Sequence, residues 1–321
     1  MRSAGSLSLD LDDLWSYLKT HGDEWRDLPS YLPTVVPMIL QLLSEHDLTI
    51  TFFVVGQDAT LPRNREVMGS IAAAGHEIAN HSFHHEPWLH RYSAQEVDLE
   101  VARAEEAIES AVGVRPVGFR GPGYSLSEDA LRTLIARRYL YDATTLPTFI
   151  GPLGRAFYFR RSRFSPAERK ERAALFGSFR DGFRPLAPYM WDVDGSRLLE
   201  IPVTTLPYLR LPFHVSYLLY LSRLSPAGAR RYLALALDLC RLSGIAPSLL
   251  LHPLDLLGSE DAGELRFFPG MDLSRGEKAE RVQEYLSMVM DRFVLGPVRS
   301  QAATLTGSEI VARGARLRKA S

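Results

Sequence analysis

Apolar and polar positions alternate at the start of this chain. Leu7-Ser8-Leu9-Asp10-Leu11-Asp12 repeats with period two and ends in acids, which predicts a short strand with Asp10 and Asp12 on one face. The period then lengthens: Pro33 to His46 carries apolar residues at helical spacing, and Leu48 to Val55 (LTITFFVV) is a β-branched and aromatic strand. Asn64 to Ala74 is helical and stops at Gly75, and Glu77 to His81 is a third strand. Ser93 opens a helix to about Val112, with Glu96 completing a capping box. Val117 to Arg120 (strand), Ser127 to Arg138 (helix) and Tyr139 to Thr144 (strand) continue the alternation. Such an order predicts an α/β fold with mostly parallel strands. In a β/α barrel, complete or distorted, Asp10, His81 and Arg120 fall near the strand ends where chemistry collects. An open doubly wound sheet is the competitor, but no Gly-rich phosphate loop follows the first strand.

The second half is less regular. Residues 150–195, rich in Arg and Phe, read as an insertion with a short helix over the catalytic face. Its arginines either hold an anionic group such as a phosphate or form a solvated loop. Leu198 to Val203 returns to a strand. Residues 206–244 form an apolar helical hairpin, which either packs as core or offers Tyr208, Tyr217 and Tyr220 to a lipid-linked substrate or membrane interface. Ser248 to His252 is a buried strand that delivers His252, Ser274 to about Phe293 is a closing helix, and Ala302 to Leu305 reads as a last strand. Residues 1–321 are expected to form a single catalytic domain.

Composition narrows the partners. The 321 residues are 46% hydrophobic and 23% charged, enough for a full core, and a net charge of -1 gives no basic field for nucleic acid. The basic tail from Arg313 to Lys319 reads as a solvated end. The single cysteine, Cys240, excludes an internal disulfide and lies in an apolar helical pattern. The N-terminus lacks the pattern of a secretion signal, and Arg223, Arg230 and Arg231 interrupt the most apolar region. The expectation is a cytoplasmic protein, with peripheral contact at the inner face of the membrane as an extension.

Asn80-His81-Ser82-Phe83-His84-His85-Glu86-Pro87 then changes the picture, with three of nine histidines in five positions. Alone, it reads as a surface turn. Together with the strand-end residues Asp10, Asp12, Arg120, Asp142 and His252, it reads as a metal site with an acid/base pair. Asp12, His81 and His85 would supply three ligands to a divalent cation, most simply Zn2+. Asp10 is left as general base, and His252 can protonate a leaving amine. That is equipment for metal-assisted amide hydrolysis.

Five blocks, in order, resemble the polysaccharide deacetylase family, the NodB-homology carbohydrate esterases. They are Ser8 to Asp13 (SLDLDD), His81 to His85 (HSFHH), Phe119 to Tyr124 (FRGPGY), Tyr141 to Thr145 (YDATT) and Leu250 to Pro253 (LLHP). The first departs from the family's adjacent acids, so Asp13 stands as an alternative ligand to Asp12. The fourth match is loose, and in the fifth Pro253 stands where many members have Asp. The resemblance implies a distorted β/α barrel and removal of an acyl group, acetyl or formyl, from an amino sugar. In its terms Arg120 orients Asp10, the Tyr124 backbone N–H stabilises the oxyanion, and Pro122, Leu250 and Asp142 line the substrate pocket. His84 becomes a bystander. A lipid-phosphate-linked sugar would suit the hairpin and the arginines. The alternatives are a non-sugar amide or cyclic imide as substrate, and a catalytically silent sugar-binding module.

Overall fold

The sheet is built around β1 (Ser3–Leu11), which pairs in parallel with β2 (Thr51–Val54), β8 (Ser248–Leu251) and β9 (Phe293–Gly296) in the computed structural model. The structure describes residues 3–19, 28–153 and 179–305. Alternation along β1 sorts its side chains: Leu7, Leu9 and Leu11 enter the main core, whereas Ser8 and Asp10 turn to the other face and meet Arg120. The remaining strands are β3 (Glu77–Asn80), β4 (Gly118–Phe119), β5 (Tyr141–Asp142), β6 (Tyr189–Val193) and β7 (Ser196–Glu200). Their order is β6-β7-β5-β4-β3-β2-β1-β8, parallel throughout except for the β6–β7 pair.

The expected barrel is distorted in a specific way. The strand ladder does not close, with β6 at one edge and β8 at the other. Extended chain after β7 bridges the gap instead: the Thr204 N–H donates to Ser248 O (2.9 Å), and the Ser248 N–H donates to Thr204 Oγ1 (2.8 Å). The β-end chemistry therefore collects as in a barrel although the ladder is open.

Ten α-helices flank the sheet among the described residues: α1 (Leu14–Leu18), α2 (Leu32–Glu45), α3 (Gly56–Thr60), α4 (Arg65–Ala73), α5 (Ala94–Val112), α6 (Glu128–Ala136), α7 (Val215–Leu224), α8 (Pro226–Leu242), α9 (Arg275–Met290) and α10 (Val298–Leu305). Capping boxes start α5 at Ser93/Glu96 and α9 at Ser274/Glu277, satisfying N–H groups that a helix start otherwise leaves open. The pair α7–α8 buries Leu218, Leu219, Leu233, Leu237 and Cys240 in the main core. Its exposed leucines are Leu224 and Leu242 at helix ends and Leu235 in the middle of α8. No helix among the described residues is long and apolar enough to cross a membrane.

Two expectations are corrected. The last strand is β9, not Ala302 to Leu305, which completes α10; Pro297 separates the two and suits a helix start. The C-terminal part of the 150–195 segment is not inserted loop, because β6 pairs residue for residue with β7. Most of the Arg/Phe-rich stretch, residues 154–178, lies outside the described residues, as does the basic tail.

Candidate active site

Asp12 follows β1, and His81 and His85 follow β3, two strands away in the ladder. Their ligand atoms lie within 4.8 Å of one another. Asp12 Oδ1 is 3.5 Å from His81 Nε2 and 3.1 Å from His85 Nε2, yet it is buried and accepts no hydrogen bond. Donors about 2.0–2.1 Å from a tetrahedral zinc stand about 3.4 Å apart, so the three converge as ligands rather than bonding each other. His81 Nδ1 is 2.7 Å from the Arg120 carbonyl, to which it can only donate, and this leaves Nε2 with a lone pair. Protonation favours the same reading. Burial alone would raise Asp12, but the His85 and His81 imidazoles outweigh it and hold the carboxyl well below the usual range. Burial pushes His85 down, towards the neutral form. For His81 burial is outweighed by Asp10 and Asp12, which push it up, so the pocket attracts positive charge. The donor set thus fits a divalent cation such as zinc. Asp13 is not part of this converging group; its Oδ1 accepts the N–H groups of Leu14 (2.7 Å) and Tyr31 (3.2 Å).

The histidine loop is held from outside. Ser82 and His85 both adopt left-handed backbone, at φ 59° and 52°, uncommon for residues with a side chain. Buried Glu100 on α5 offsets this: one oxygen accepts the N–H groups of Phe83 (3.1 Å) and His84 (2.9 Å), and the other meets the His84 ring. The carbonyls of Ser82 and Phe83 accept from Gly56 and Gln57 at the start of α3. Gly56 is needed there, because a Cβ would lie 2.6 Å from Ala104 Cα and 2.8 Å from the Phe83 ring. His84 thus anchors the loop and stands apart from the ligand cluster.

Arg120, fully buried after β4, donates to Asp10 Oδ1 (2.6 Å), Ser8 Oγ (2.9 Å) and Ala143 O (2.9 Å), with its guanidinium 4.1 Å from the Phe53 ring centre. Asp10 Oδ2 lies 3.9 Å from His81 Nε2, so the clamped carboxylate borders the ligand cluster. Pro122 and Tyr124 form a short 3-10 turn, and Tyr124 packs with Leu146, Val203 and Leu250. In this turn Tyr124 has φ 63° and its N–H donates to Gly121 O (3.1 Å). Leu250 is fully buried in that cluster. Asp142 is also fully buried, its carboxyl pushed well up by burial and by Glu200 beside it.

His252 ends β8. Its Nδ1 is 3.1 Å from Ser216 Oγ, and its backbone N–H donates to Asp255 Oδ2 (2.8 Å). Buried His214 stands beside it, ring centres 6.2 Å apart, with Nδ1 unpaired and its pKa pushed down to about 3 by burial, His252 and Arg120. Glu100, Glu200, His214, Ser216 and Asp255 escape the sequence reading. Only Asp255 left a trace, as the fourth residue of an H-P-L-D turn.

Residues 6–141 match the family model described as Polysaccharide deacetylase. A chitooligosaccharide deacetylase of Bradyrhizobium sp. is 36% identical over 102 residues, 32% of this chain and 45% of that protein. A peptidoglycan deacetylase of Helicobacter pylori is 26% identical over 141 residues, 42% of this chain and 46% of that protein. The chain thus spans less than half the length of these curated relatives. In fold it is similar to a Mycobacterium smegmatis protein assigned to the polysaccharide deacetylases (TM-score 0.60, 22% identity, 98% of this chain and 96% of that one). It is also similar to Puue allantoinase (TM-score 0.58, 16% identity, 97% and 92%). Residues 6–141 thus carry the match to the polysaccharide deacetylase family model, within a mixed α/β fold with a central parallel sheet.

Proposed function

We propose that this chain is a metal-dependent hydrolase that removes an N-acyl group from an amino sugar, with residues 1–321 acting as one catalytic domain. The observation that carries the reading is Asp12, His81 and His85 converging beside the Arg120-clamped Asp10. When bound, a divalent cation, here Zn2+, would supply Lewis-acid polarisation of the acyl carbonyl and acidify water. Asp12, His81 and His85 would hold it. Asp10, aimed by Arg120, accepts the proton of the attacking water. His252 donates a proton to the amine as it leaves. Tyr124, Pro122 and Leu250 shape the apolar side of the acyl pocket.

The names of the curated relatives favour an acetylated chitooligosaccharide or peptidoglycan-type sugar. A lipid-phosphate-linked sugar, with peripheral membrane contact, is the finer form of the proposal, supported by exposed Tyr208 and Leu209. The test combines metal analysis with acetate and formate release from soluble and lipid-linked acylated amino sugars. Asp10→Asn should abolish turnover while zinc content stays near normal, and His81→Ala should lose both. Full activity in Asp10→Asn would refute the base. Absence of both zinc and acyl release would favour a sugar-binding module.

A further inference from the structure

We propose that Asp142 and Glu200 share one proton across adjacent strands, with Asp142 the neutral member, and that Asp142 in this form is a positioning residue for Arg120. The inference rests on the reading of Arg120 as the clamp on the base Asp10. Both carboxyls lie beyond the family-matched residues 6–141.

The two residues stand in register on β5 and β7, so their side chains leave the sheet on one face, and both are fully buried. Two carboxyls so placed ionise together only at high cost, because burial strips their water and each charge repels the other. Hydrogen bonding decides which keeps the charge. Glu200 takes three donors: the Thr145 N–H (2.8 Å) and hydroxyl (2.6 Å) at Oε1, and the Trp191 indole N–H (2.8 Å) at Oε2. Asp142 has Thr144 Oγ1 at 2.5 Å from its Oδ1, while its Oδ2 is buried without a donor. Donors stabilise an anion, so the charge settles on Glu200 and the proton on Asp142. The surroundings do not reverse this. Arg184 lies over the Trp191 ring, 5.2 Å from its centre, and is matched by Asp181 (2.8 Å). Burial keeps Tyr189, opposite Glu200 on β6, neutral. Phe119, in register with Asp142 on β4, belongs to an apolar cluster with Val97, Leu131 and Trp191. Burial and Glu200 push the Asp142 carboxyl well up, in the same direction.

The neutral acid matters because residues 142–144 hold Arg120. Ala143 O accepts from Arg120 Nε (2.9 Å), and Thr144 Oγ1 accepts the Gly121 N–H (2.8 Å) while bonded to Asp142. Asp142 thus fixes the hydroxyl that grips the residue after Arg120. Being neutral, it does so without adding an anion that would compete with Asp10 for the guanidinium.

The test joins two spectroscopic readouts to an assay. Infrared difference spectra of wild type against Asp142→Asn at neutral pH should show the loss of protonated carboxylic acid absorption, not of carboxylate absorption. Hydrogen exchange of the Arg120 Nε–H, followed by nitrogen-15 NMR, should match wild type in Asp142→Asn, whose amide keeps the shape and a donor of the neutral acid. It should speed up about tenfold in Asp142→Ala. Thr144→Val, which lacks the bridging hydroxyl, gives the same readout should the alanine variant not fold. In the zinc-loaded protein, kcat for acetate release from a soluble chitooligosaccharide should stay within about threefold in Asp142→Asn and fall about tenfold in Asp142→Ala, with KM nearly unchanged. Loss of carboxylate absorption in Asp142→Asn overturns the shared proton. Unchanged Arg120 exchange in Asp142→Ala or Thr144→Val overturns the positioning role. If both spectroscopic results hold and no acetate is released, only the substrate reading fails.

Discussion

Replacing Glu100 with Ala should weaken zinc binding although Glu100 touches none of the three ligands. Its Oε2 takes the N–H groups of Phe83 and His84, the two residues between Ser82 and His85. Hydrogen bonds to a charged group contribute about 1.5–3 kcal/mol each, so two are worth about 3–6 kcal/mol before relaxation. The His84 ring is 40% exposed at its side chain, and its ion pair with Glu100 adds little after solvent screening. Taking about 3 kcal/mol and assigning it to the loop, which must then hold two left-handed residues without its clamp, the zinc affinity should fall about 100-fold at 1.4 kcal/mol per decade. Glu100→Gln keeps the acceptor and loses only its charge, so it should lose about tenfold or less. Competition titration against a chromogenic chelator reads both. Zinc affinity within twofold of wild type in Glu100→Ala would refute the reasoning.

Three further outcomes follow from the same geometry. Arg120→Leu strands the Asp10 carboxylate in a buried setting and should cost about 3–5 kcal/mol in urea unfolding; a loss below 1 kcal/mol would contradict the clamp. His214 is held at about 3 in the fold against about 6.5 in the unfolded chain, so in that window the unfolded chain binds a proton that the fold does not. Stability should therefore drop by about 1.4 kcal/mol for each unit of acidification from 6.5 towards 3, and His214→Phe should remove that part of the slope. Chelation of zinc from the loaded protein should lower stability by about 2.7 kcal/mol at metal concentrations near 100 times Kd, and calorimetry with and without chelator checks this.

Much of the site was legible because its residues announce themselves locally. Asp10 and Asp12 stand two apart on a strand, and His81 and His85 flank a turn just past another, so type and spacing expose them. Arg120 was visible through its neighbours in FRGPGY. Glu100, Ser216 and His214 were not, since a glutamate inside a capped helix and polar residues near an apolar helix start look ordinary until the fold brings them to a loop 16 residues away or a histidine 36 away. In the fold, β4 and β5 ladder over two residues each, too short for periodicity to bound them. The strand Phe293–Gly296 went unread, its first residue taken as the end of the preceding helix, because four residues carry too little period of their own.

The partners of β1 have a consequence for how the chain is made. Its first four residues pair with Phe293–Gly296, and Ser6 to Leu9 pair with Ser248–Leu251. A strand at residues 3–11 thus waits for one made almost 290 residues later before both sides are covered. Until then it presents open backbone and leucines to whatever is near, a template for wrong pairing. Synthesis truncated before residue 293 should yield aggregates rather than a shorter soluble protein, and co-translational chaperone contact should persist until residues 293–296 have emerged.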